Sequence, residues 1–98
     1  MAIQTYDLGQ GLALNTTGAA IPCHLTEEVG IFVSGTFSVG PTVTLKVSVN
    51  GVTWVPITGL SFTAPRHVSQ YIVASNVRAV VVGGDGTTAI NVTLQRGR

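Results

Sequence analysis

Thr42-Val43-Thr44-Leu45-Lys46-Val47-Ser48-Val49 alternates without a break and runs into Asn50-Gly51, after which Val52-Thr53-Trp54-Val55-Pro56-Ile57 follows. Val43, Leu45, Val47 and Val49 fall on one side of an extended chain, and Thr42, Thr44, Lys46 and Ser48 on the other. A period of two over eight residues marks a strand with one buried face. Asn50-Gly51 is a strong hairpin signal, because both residues tolerate positive φ. Pro56 donates no ladder hydrogen bond, which predicts an edge strand or a strand end there.

Two registers are open for this hairpin. With a two-residue loop, the preferred reading, Val49 faces Val52, Val47 faces Trp54, and Trp54 enters the core. A three-residue loop with Gly51 as a bulge slips the register by one and sends Val55 and Ile57 inward and Trp54 outward. Either way a large apolar side chain stays on the outer face.

The same pattern extends in both directions. Thr88-Ala89-Ile90-Asn91-Val92-Thr93-Leu94-Gln95 alternates with Ile90, Val92 and Leu94 inward. It is reached from Val77–Val82 through Gly83-Gly84-Asp85-Gly86, which reads as a second hairpin turn. Val29–Phe37 and Val68–Ala74 are further strands, Leu60–Thr63 is a short one, and Ser75-Asn76 marks a break before Val77. Val and Thr, abundant here, suit a pleated surface and disfavour helix. The chain is therefore expected to be all-β, an antiparallel β-sandwich of jelly-roll or immunoglobulin-like type with about six or seven strands in two sheets around one core. Residues 1–28, where Gly9, Gly11, Gly18 and Pro22 interrupt weak apolar runs, are expected to be an N-terminal arm able to add an edge strand. Residues 29–98 form the sandwich domain.

Composition narrows the function. The 98 residues allow one small domain, and 45% of them are apolar. Only 9% are charged, where about 25% is typical. Disorder requires the opposite balance, and no run of about 20 apolar residues could form a membrane helix. The N-terminus has no basic and apolar leader, so synthesis and assembly in a cytoplasm are expected. The lone Cys23 reads as a small buried apolar residue.

No catalytic constellation emerges. Asp7, Glu27, Glu28 and Asp85 are the four acids, and the adjacent Glu27 and Glu28 point apart in an extended chain. Cys23-His24 is separated in the same way. His24 and His67 lack metal-ligand spacing. Gly83-Gly84-Asp85-Gly86-Thr87 lacks the lysine and the helix of a phosphate loop. The expectation is a protein with no enzymatic activity, cofactor or metal. The bases do not cluster beyond Arg96-Gly97-Arg98, so neither nucleic acid nor membrane is expected as a partner. Under a sugar-binding alternative, Trp54 and Tyr71 would contact the ligand.

Apolar residues remain on outward faces. Phe32 opposes Val29, Ile31 and Val33, and Val80 and Val82 oppose Val77, Ala79 and Val81. A strand apolar on both faces is covered on both faces, and one Lys in the whole chain gives little charge protection to sheet edges. Other protein chains are the expected cover, with Tyr6, Leu8, Phe32, Val55, Ile57, Arg96 and Arg98 as candidate contacts.

Ser34-Gly35-Thr36-Phe37, Thr42-Val43-Thr44-Leu45, Asn50-Gly51-Val52-Thr53-Trp54-Val55-Pro56, Phe62-Thr63-Ala64-Pro65, Val77-Arg78-Ala79-Val80 and Gly83-Gly84-Asp85-Gly86-Thr87-Thr88 together resemble small β-sandwich virion proteins of tailed bacteriophages. The resemblance covers roughly residues 34–94. It implies a capsid decoration, or cement, protein: a homo-oligomer, with a trimer favoured, that sits on the virion surface and clamps subunits of the phage major capsid protein. It supplies no site residues. A tail, neck or fibre component is the alternative within the same class.

Overall fold

The computed structural model describes residues 4–96, and every strand in it pairs antiparallel. Six strands follow one another: β1 (Gln4–Leu12), β2 (Ile21–Thr36), β3 (Thr42–Ser48), β4 (Val55–Phe62), β5 (Arg66–Val82) and β6 (Ala89–Arg96). Their order across the sheet is β1-β6-β2-β5-β3-β4. The chain is all-β, as the alternation requires.

The two layers are halves of one continuous ladder rather than two separate sheets. The first half of β5 pairs with β2, from Arg66↔Val33 to Val77↔Ile21. Its second half pairs with β3, from Asn76↔Ser48 to Val82↔Thr42. Inward positions in β5 change parity at the handover: Ile72 and Ala74 are buried, then Val77, Ala79 and Val81. Ser75-Asn76 is therefore a change of face inside one strand, not a break between two. Opposite it, β2 inserts an irregularity between Pro22 and Leu25, where His24 takes a φ of 47°. An extra residue of this kind bends a strand and sharpens its twist, which lets the sheet fold over.

The edge of β5 that β2 leaves is filled by residues 15–18. Gly18 N donates to Ala79 O at 2.7 Å, Val81 N donates to Thr16 O at 2.7 Å, and Thr17 bridges Val80. Chain that leaves β1 beside β6 thus ends beside β5, tying the layers together. Between them lies one core containing Leu8, Leu25, Ile31, Leu45, Leu60, Phe62, Ile90 and Leu94, all at most 2% exposed.

Three further expectations change. β1 is an edge strand, as the arm was expected to be able to add, but its Leu8 and Leu12 are buried in the core, and β2 begins at Ile21, so the boundary at residue 28 falls inside a strand. The connection 83–88 is not a hairpin turn: β5 and β6 are not neighbours, and it carries the chain from one layer to the other. The β3–β4 loop is longer than either reading. Val47 pairs with Val55 and Lys46 with Pro56, so the slipped register holds at the strand ends. A further shift before Thr44↔Ser61 bulges β4. Ser48 and Asn50 hold the loop: Ser48 Oγ accepts from Gly51 N at 2.8 Å, and Asn50 Oδ1 accepts from Val52 N at 2.8 Å and Thr53 N at 2.9 Å. Side-chain acceptors satisfy the loop amides that a tight primed turn would have paired across the strands.

Candidate interaction surfaces

Two of the candidate contacts meet at one edge of the molecule. Arg96 forms an ion pair with Glu27, and both side chains are largely covered, at 17% and 13% exposed. Its Nη1 also donates to Cys23 O at 2.9 Å and to Tyr6 Oη at 3.4 Å. The Tyr6 contact, then the Glu27 carboxylate, hold the guanidinium above its ordinary pKa against the opposing effect of burial. Tyr6 is half-buried against the core and donates its hydroxyl proton to Gln4 Oε1 at 2.9 Å. Arg96 is thus an internal clasp joining β1, β2 and β6, not a free cation on a tail.

The other candidates separate. Leu8 is 0% exposed, so it cannot touch a partner; it belongs to the core. Ile57 is partly buried against that core. Phe32 is exposed and stacks on His67, its cross-strand neighbour, with ring centroids 4.2 Å apart. Val55 is 53% exposed. Arg98 lies outside the described residues.

Val55 lies in a more extensive apolar surface. Val47, Val49, Val55, Val73 and Ala74 line a depression of about 250 Å³ with Ser48 and Thr53. Val49 and Val73 are 79% and 63% exposed, and Val52 nearby in the loop is 80% exposed. Alternation assigned Val49 to the inner face, and it is outside because β3 ends at Ser48. The apolar run Val47, Val49, Val52 and Val55 around one turn was the sequence signal for this surface.

The aromatic pair of the sugar-binding alternative is divided between two places. Trp54 is half-buried on the outer face, not in the core. It reaches across β3, and the Arg78 guanidinium carbon lies 4.3 Å from its ring centroid. Tyr71 is exposed and donates to Thr26 O at 2.8 Å. Arg78 and Tyr71 are seven positions apart on β5, on the order of 20 Å of strand. Trp54 and Tyr71 do not form one stacking platform.

Cys23 is buried and His24 exposed, so the dyad does not assemble. Burial pushes the Cys23 thiol up, outweighing the Leu25 amide and the Arg96 charge, which lower it. Asp85 organises its own connection. Its Oδ1 accepts from Thr87 N at 2.9 Å and Thr87 Oγ1 at 2.8 Å, and its Oδ2 accepts from Ser38 Oγ at 2.8 Å. These contacts, Thr87 first, lower its pKa below the ordinary 3.8. Thr88 Oγ1 completes the link by donating to Ser38 O at 3.0 Å. Among the described residues, no group of three or more His, Cys, Asp or Glu is placed to hold a metal ion.

Compared with protein-family models, curated proteins and solved structures, the chain finds no match.

Proposed function

We propose that this protein is a structural virion component, a decoration protein that binds the outside of a phage head and stabilises contacts between major capsid subunits. The observation that carries the reading is the apolar depression at the β3–β4 turn, walled by Val49, Val55 and Val73, on a chain with five basic and four acidic residues. Clustered, not scattered, exposed apolar side chains mark protein-binding surfaces. The set of motifs between residues 34 and 94 supports the phage assignment.

A decoration protein acts through its differential affinity for the mature lattice, shifting assembly toward that state by its binding free energy. Recognition of this kind uses about 1,600 Å² of interface, and many equivalent sites on a shell make modest single affinities sufficient.

The test is co-sedimentation with expanded, DNA-free heads. The protein is expected to bind at saturable stoichiometry and to raise the melting temperature of the heads. Val49→Lys and Val73→Lys are expected to abolish binding while leaving the fold intact, because both residues are already mostly in water. Absence of binding to heads, with binding to tails, would move the protein to the tail, neck or fibre class. Binding to a glycan array that is lost in Trp54→Ala would replace both.

A further inference from the structure

Lys46 and Arg78 are directly opposed across β3 and β5. Their neighbours Leu45 and Ala79 are buried, so both cations point outward on the same face. Like charges in this position repel each other and destabilise a sheet. The described acidic side chains lie elsewhere: Asp7 on β1, Glu27 and Glu28 on β2, and Asp85 in the β5–β6 connection. Among the described residues no carboxylate pairs with either base; the ion pair present is Arg96–Glu27. Two of the chain's five basic residues thus stand together, unneutralised.

The third member of the group is Trp54. Its ring lies against the Arg78 guanidinium, and Arg78 Nε is buried without a hydrogen-bond partner. A guanidinium stacked on an indole is held in place, and because its Nε is covered, the Nη1–Nη2 end is the one that would meet a carboxylate in bidentate geometry. Lys46 adds a second charge beside it.

We propose that Lys46, Arg78 and Trp54 form a docking spot for a carboxylate-bearing segment of a partner protein. The repulsion tolerated in the free chain is relieved when the anion arrives. Carboxylate is favoured over a nucleic-acid phosphate because affinity for the latter requires several phosphate contacts along a basic track. Here the pair is flanked by Thr44, Ser48, Val80 and Asn76 rather than by further bases. Lys46, Arg78 and Trp54 are not among the residues that line the apolar depression, although Ser48 borders both, and the proposal does not depend on the capsid reading.

Trp54 is the only tryptophan, so its emission reports directly on the site. Titration with an oligoglutamate peptide at low salt is expected to change that emission saturably. The change should weaken as salt rises and the Debye length falls from ~10 Å at 0.1 M to ~3 Å at 1 M. Arg78→Gln is expected to weaken binding about tenfold or more, as for loss of a charge-assisted contact. Lys46→Thr should also weaken it, yet raise the melting temperature of the free protein, an effect that a purely structural lysine would not give. Three results each overturn the proposal: no saturable response in the wild type, an equal response in Arg78→Gln, or a tighter response to a single-stranded oligonucleotide or inorganic phosphate than to the peptide.

Discussion

Arg96, at the end of the last strand, is ion-paired with Glu27, midway along the second, and the same guanidinium reaches Tyr6 in the first. The last strand is thereby fastened by one side chain to the first two, at the other end of the sequence. Removing Glu27 leaves the largely covered Arg96 guanidinium without its carboxylate, whereas removing both members of such a pair can be nearly neutral. Arg96→Met and Glu27→Met are each expected to lower the melting temperature by several degrees. The double variant should recover much of the loss. Additive losses in thermal melts would show that the pair is not energetically coupled.

Leu8 distinguishes an arm from a core strand. It is fully buried in the common core, so Leu8→Ala is expected to cost about 2–5 kcal/mol in urea unfolding, the usual range for a buried leucine. A loss under ~0.5 kcal/mol would mean that β1 is held only at the surface.

Gly35 and Gly40 form a matched pair. Both have positive φ, at 109° and 60°. A Cβ on Gly35 would lie 2.1 Å from Ala89 O, a backbone atom on the paired strand, whereas one on Gly40 would meet nothing within 4 Å. Gly40→Ala should cost about 1 kcal/mol, the price of the conformation alone. Gly35→Ala should be far worse and yield little soluble protein. Equal solubility and equal melting temperatures for the two would contradict the close approach of β2 to β6.

Asp85 gives a pH dependence of known sign. Its folded pKa is depressed below 3.8 by Thr87 and then Ser38. The stability it supplies is present above the ordinary aspartate range and is lost as pH falls through the depressed value. Wild-type melting temperature is therefore expected to drop more steeply than that of Asp85→Asn below about pH 3.8. Parallel curves would mean that the Thr87 and Ser38 contacts do not persist in solution.

The turn at Asn50 can be read by substitution. Val55 is 53% exposed and Trp54 only half-buried. Val55→Lys should stay folded, and Trp54→Ala should lose less stability than the 3–5 kcal/mol typical of a core aromatic. Unfolding of Trp54→Ala alone would restore the two-residue loop.

Strand content was legible because the apolar spacing of Thr42–Val49 and of Thr88–Gln95 is local. Strand neighbours were less so. The Gly-rich run 83–86 has the composition of a hairpin turn, yet its path is dictated by β2 and β6 pairing through Val29–Thr36. Likewise Ser75-Asn76 resembles punctuation, while in the fold the surrounding residues hand β5 from one partner to another. The apolar group around the β3–β4 turn was visible in outline through Val55. Val49 was assigned inward because no local signal announces that Ser48 and Asn50 will spend their side chains on loop amides. The clasp was half visible: Tyr6 and Arg96 stood out as contacts, but their being contacts with each other is a tertiary fact.

Both margins of the sheet are interrupted in their backbone. β1 shifts register at Gly9 and again before Leu12, and β4 carries Pro56, which has no N–H, and a bulge containing Gly59 at a φ of 86°. A neighbouring chain cannot zip onto a margin so broken. Strand addition at these two margins is thereby hindered, even though the molecule carries few charges to resist it.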